Sequence, residues 1–219
     1  MYYQGSQADV NHRPFYCNNL KNQYGQKLSA YVIGQEAKDF GSYLSDWPIE
    51  DIQEFNKEYV EIQLGYKQPT KDIKRNNSPF WYLFRDLKSH GLEPVWNNVD
   101  KFHRLSNDNK TESLNLEIER LLNKSYGSDN KSLLTREIEI SNPDIIVFVV
   151  GPYYHESMAL SLGIEDDELI KYKPTKDAKC NCIKDIYDSD ILVLWSYHPA
   201  YLNRVKSIGS IYENIKRRH

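Results

Sequence analysis

The sequence predicts a single doubly wound α/β domain, built on a central, mostly parallel four-stranded sheet flanked by helices. Three observations lead there. Apolar runs of strand length recur with helical apolar spacing between them, the alternation that helix-connected parallel strands require. The strongest run, residues 145–150, is apolar without interruption, as expected of a strand covered on both faces. A chain of 219 residues is long enough to close one such two-sided core.

Each element follows from local chemistry. Residues 1–25 read as a polar arm and residues 26–219 as the domain. Residues 31–34 form the first strand, cut off by Gly34. Pro48 opens a helix whose apolar positions, Ile49, Ile52, Phe55, Tyr59 and Ile62, share one face. Ser78 supplies an N-cap with Pro79 at the first helical position, so residues 80–90 are helical and stop at Gly91. Residues 94–98 are the second strand, ending in the amides of Asn97 and Asn98. A polar insertion, residues 105–128, carries a helix over residues 112–126. A helix over 132–140 leads through Asn142, Pro143 and Asp144 into the third strand, 145–150, which ends at Gly151. Residues 154–162 are helical. Residues 168–190 are charged and irregular, with a short strand at 169–172. Residues 191–195 form the last strand of the parallel set, and a closing helix runs over 202–216.

Composition narrows the function classes. Charged residues make up 27% and aromatics 13%, and no apolar run approaches a membrane span, which excludes a disordered chain and a helical membrane protein. The first residues lack the basic-then-apolar pattern of a signal peptide, so a cytoplasmic protein is expected. A monomer is the expected state, though the sequence leaves it open. Cys17, Cys180 and Cys182 are odd in number and do not form a disulfide framework. Cys180 and Cys182 lack further ligands at finger-like spacing, so neither a metal nor a cofactor is expected. The net charge of −3 does not advertise nucleic acid, but local density matters more. Residues 201–219 hold Arg204, Lys206, Lys216, Arg217 and Arg218 against the single acid Glu213. Cations of this kind also suit an ordinary helix end.

Three strands lead into polar groups: Gly34-Gln35-Glu36, Asn97-Asn98 and His198. In parallel sheets ligands bind beyond the carboxyl ends of the strands, so the three groups are expected to converge. A carboxylate, two amides and an imidazole can hold a water, read a planar polar ligand and stabilise a departing anion. Each residue also has a structural reading. His198 suits a helix cap or the core, and Glu36 and Asn98 suit turns and caps.

The order of these motifs resembles the uracil-DNA glycosylase superfamily. Its first motif, of the type Gly-Gln-Asp-Pro-Tyr-His or Gly-x-Asn-Pro, corresponds to Gly34-Gln35-Glu36-Ala37-Lys38-Asp39. Its base-reading Asn, often in Thr-Asn-x-x-Lys, corresponds to Asn98 within Asn97-Asn98-Val99-Asp100-Lys101. Its closing His-Pro-Ser-Tyr-Leu-x-Arg is similar to His198-Pro199-Ala200-Tyr201-Leu202-Asn203-Arg204. The likeness spans residues 29–204 and lies in order and spacing, since each motif alone is short. Ala37 stands where the family has a stiffening proline, Glu36 where it has Asp or Asn, and Ala200 where it has serine.

The resemblance implies a DNA glycosylase that removes uracil or another modified base from a flipped nucleotide. Glu36 would orient the water and stabilise the cationic sugar, helped by Gln35, and His198 would stabilise the departing base. Asn98, or Asn97 in the adjacent register, would read the base edge, with Phe40 as its stacking platform ahead of Tyr43 and Trp47. Tyr201 and Leu202 would wedge into the stack while Arg204 and Lys206 hold phosphates. Surface packing of the last helix is the competing reading for these four. Two other functions stay open: a catalytically silent DNA-binding protein on the same fold, suggested by Ala37 and Ala200, and a small-molecule or nucleotide-binding α/β enzyme. The last lacks a glycine-rich phosphate loop and a nucleophile elbow.

Overall fold

The computed structural model describes residues 27–36, 48–100, 103–105, 111–113, 117–118, 131–183 and 190–217. The polar arm, Cys17, Ala37, Phe40, Tyr43 and Trp47 lie outside the described residues. Among those described, strands β1 (Ser29–Glu36), β2 (Glu93–Asp100), β5 (Ile145–Phe148), β6 (Cys180–Cys182) and β7 (Leu192–Ser196) make one sheet, in the order β2-β1-β5-β7-β6. All neighbours are parallel except β6, which runs antiparallel to β7. The protein is therefore a mixed α/β fold around a five-stranded, mostly parallel sheet.

The fifth strand corrects the expected four. Cys180–Cys182 is short and has Asn181 at its centre, so it carries no apolar run to announce it. It forms because an edge strand needs one neighbour only. Cys180 pairs with Ser196 and buries its side chain in the core, where desolvation pushes the thiol up to about 12.

Period-two alternation sorts the strand residues onto two covered faces. Ala30, Val32, Val147 and Leu194 pack beneath α1 (Ile49–Gln63), α2 (Pro79–Ser89), α6 (Pro199–Arg204) and α7 (Gly209–Lys216). Tyr31, Ile33, Phe148 and Trp195 pack against α3 (Leu133–Ser141), α4 (His155–Leu162) and α5 (Asp166–Leu169). Helices thus cover both faces, as the unbroken apolar runs require. The starts of β1 and β5 are tied by Asp144, whose carboxylate accepts from the Ser29 amide at 2.7 Å and the Ser29 hydroxyl at 2.9 Å.

The expected helices at 80–90, 132–140 and 154–162 are present, each shifted by a residue. Four expectations are corrected. Residues 169–172 are not a strand, because acids at Asp166, Asp167 and Glu168 load a first helical turn and a 3-10 turn follows at Ile170–Tyr172. The helix expected at 112–126 does not begin there: Thr111–Ser113 is strand β4, antiparallel to β3 (His103–Leu105), and helical residues are seen at 117 and 118. The closing helix is two helices, broken at Lys206, whose φ is 53°. Apolar spacing runs across that break through Leu202, Ile208, Ile211 and Ile215, which hides it from periodicity. Finally, β1 and β2 do not stop at Gly34 and Asn98. They continue in register to Glu36 and Asp100, so the first two motifs lie on the last residues of strands.

Candidate functional site at the carboxyl edge of the sheet

The parallel strands deliver their last residues to one edge. There Gly34 pairs with Asn98, and β1 continues with Gln35 and Glu36, the latter pairing through its backbone with Asp100. The Gln35 amide donates to the Val150 carbonyl at 2.7 Å, joining the end of β1 to the residues after β5. Next along the edge, the Gly151 amide donates to Ser196 at 3.0 Å, and the Trp195 indole donates to the Gly151 carbonyl at 3.1 Å. Gly151 holds a φ of 76°, and a side chain there would meet the His198 amide at 3.8 Å. His198 thus lies beside the backbone that follows β5.

His198 is the N-cap of α6, with Pro199 at the first helical position. Its Nδ1 accepts the Ala200 amide hydrogen at 3.2 Å. A backbone N–H can only donate, so Nδ1 is bare and the neutral ring carries its proton on Nε2. Burial pushes the imidazole below its ordinary value of 6.5, which favours that neutral form. The capping reading of His198 holds, and because the cap occupies Nδ1 it leaves Nε2 as the ring's remaining polar atom.

Asn98 and Asn97 alternate to opposite faces, and this separates their roles. Asn97 donates to the Glu137 carboxylate at 2.8 Å and to the Tyr31 phenol, bracing β2 against α3. Burial raises the Tyr31 phenol, and the nearby Glu137 charge adds to the rise. Asn98 instead shares a face with Trp96, whose indole donates to Oδ1 at 3.3 Å. That bond fixes the amide flip and turns Nδ2, a pure donor, away from the indole. Gly34 makes room for it, since a side chain at that position would lie 2.8 Å from Asn98 Oδ1 and 3.0 Å from the Phe80 ring.

Asn98 opens onto a groove of about 550 Å³ between α1 and β2, lined also by Asn56, Val60 and Trp96. Among the described residues the buried Asn56 Oδ1 has no hydrogen-bond partner. Asn98 and His198 stand three strand spacings apart, roughly 14 Å at about 4.8 Å each. The ends of β1 and β5 lie between them.

One of the four residues expected at the DNA surface changes role. Leu202 is fully buried in the core beneath the sheet and is not a wedge, because its position on α6 faces that core rather than solvent. Tyr201 is held by a stack on Tyr197, with ring centres 4.4 Å apart. Arg204 and Lys206 are exposed, and the Arg204 guanidinium lies 5.3 Å over the Tyr201 ring.

Sequence reasoning missed Trp96, Asn56, Gly34 as a close approach, and the aromatic residues Tyr153 and Tyr197. Trp96 had a usable signal in its i, i+2 relation to Asn98 on one strand face. Asn56 had none. No family model matches the chain, and no curated protein matches it.

Proposed function

We propose that the protein is a monofunctional DNA glycosylase on a doubly wound, uracil-DNA glycosylase-like fold, hydrolysing the N-glycosidic bond of uracil or another modified base. The observation that carries this reading is the hydrogen bond from the Ala200 amide to His198 Nδ1, which leaves the proton of the neutral ring to Nε2. A neutral ring with Nδ1 capped and Nε2 protonated is a preorganised donor for an oxygen that gains negative charge. In the proposed step, the bond from the sugar C1′ to the base nitrogen breaks and its electron pair leaves with the base. The His198 Nε2–H stabilises that anion. Water forms the new bond to C1′ and gives its proton to the carboxylate assigned to Glu36 by motif order. Asn98 Nδ2 suits a carbonyl oxygen on the base edge, so keto bases fit better than amino bases at that contact.

The test is incubation with oligonucleotides that each carry a different modified base, with mass analysis of free base and detection of abasic sites. Release from a keto base, lost in His198→Asn, is expected. No release from any oligonucleotide overturns the proposal. One observation favours a second reading, a silent DNA-binding protein: Ala200 is exposed and offers a methyl group where a hydroxyl would bind phosphate. Binding of the same oligonucleotides without release would select it.

A further inference from the structure

We propose that a rim of three tyrosines and adjacent cations, beside His198, is a track for single-stranded DNA flanking the base being processed. The assignment to DNA rests on the glycosylase reading, whereas the preference for an unpaired strand comes from the rim itself. Tyr153 follows Gly151 at the carboxyl edge and is 87% exposed, with the Lys173 ammonium 5.8 Å from its ring centre. Tyr197 and Tyr201 stack with their planes 28° apart, and Arg204 lies over Tyr201. Burial raises the Tyr197 phenol, and Tyr201 and Tyr153 add to the rise. The Tyr197 amide donates to the Lys179 carbonyl at 3.2 Å, which brings Lys179 alongside.

Aromatic faces and cations together select one kind of partner. In a duplex the base faces are stacked on each other, so only the phosphates are open and cations alone suffice. An exposed ring gains by stacking only on a base whose face is uncovered. A neutral glycan would also use ring faces, but Lys173, Lys179, Arg204 and Lys206 would then have no anion to meet. The carboxylates closest in sequence, Glu156 and Asp177, are outnumbered by these cations. Stacking with backbone phosphate contact is the combination that single-stranded nucleic acid satisfies.

The test uses a short fluorescein-labelled oligonucleotide of ordinary bases, offered as single-stranded DNA, as duplex and as RNA, with affinity read by anisotropy. Single-stranded DNA is expected to bind about tenfold tighter than duplex, and Tyr153→Ala to weaken it about fivefold or more. Tyr153→Trp should retain binding. The exposed ring packs nothing in the core, and circular dichroism checks that the variants fold. Equal or tighter duplex binding, tighter RNA binding, or unchanged affinity in Tyr153→Ala overturns the track. Because no base in the probe can be excised, the result is independent of hydrolysis. Binding without base release from the modified panel would remove the glycosylase reading alone, and release with duplex preference would remove the track alone.

Discussion

A single ring, His198, couples a helix cap to the proposed chemistry, and pH separates the two. Burial lowers its folded-state value, so the unfolded chain takes up a proton first as pH falls. Stability is therefore level above about 6.5, the ordinary histidine value, and declines as pH drops from there toward the lowered folded value. Protonating Nδ1 would also set two N–H groups against each other at Ala200. His198→Asn restores an N-cap acceptor that does not titrate. Thermal melts should show this variant losing less stability than the wild type between pH 7 and the acid range. Base release by it should fall about 100- to 1000-fold, the loss typical of a removed preorganised donor. Equal acid sensitivity in both proteins would sink the tautomer argument. At the other end of the site, Asn98→Asp replaces the Nδ2 donor by an acceptor while keeping the indole bond. Release of a keto base should drop by about 1–3 kcal/mol of discrimination, measured as kcat/KM against a competing amino base.

At the scale of elements, β1 and β2 depend on a position that has no side chain. Gly34 lies inside β1, where glycine ordinarily weakens a strand, and the close approach of Asn98 and Phe80 explains it. Gly34→Ala must displace an amide held by Trp96 and an aromatic edge held in the α2 cluster. A loss of about 1–3 kcal/mol in urea unfolding is expected, as for overpacking elsewhere, with weaker ligand binding by the folded fraction. Unchanged stability would mean that the amide moves freely and that Trp96 does not hold it. The sequence made β5, β7 and α2 legible, because unbroken apolar runs and Pro79 at a first helical position are strong local signals, although the Ser78 side chain makes no capping bond. It did not reveal β6, whose three residues are stabilised by β7 and by Asn214, which donates to Cys180 at 3.2 Å. Nor did it reveal the break at Lys206, since the apolar stripe serves two helices as well as one. The motif positions were readable, but their surroundings were not: which face Asn97 and Asn98 take depends on strand register, and register is set by neighbours far along the chain.

The whole molecule carries a net charge of −3, and its charges are unevenly spread among the described residues. At the β2 edge, α1 presents a groove with Glu50, Glu54, Glu58 and Glu61 against Lys57 and Lys67. Beside β7 and β6, Lys173 lies by Tyr153 and Arg204 by Tyr201, Lys179 is joined to Tyr197 through its backbone, and Lys206 follows Arg204 two residues on. A polyanion is therefore disfavoured at the α1 groove and favoured at the tyrosine rim despite the unfavourable total. If all four cations neutralise phosphates of a single strand, the logarithm of the binding constant should fall with the logarithm of salt at a slope of about −3, from roughly 0.7 per contact. Replacing Lys173 and Arg204 by alanine should lower the slope by about 1.4, whereas Tyr153→Ala should weaken binding and leave the slope unchanged, because stacking releases no counterions. Anisotropy titrations at several salt concentrations read all three. A slope near zero in the wild type would show that total charge, and not its arrangement, governs how this protein meets DNA.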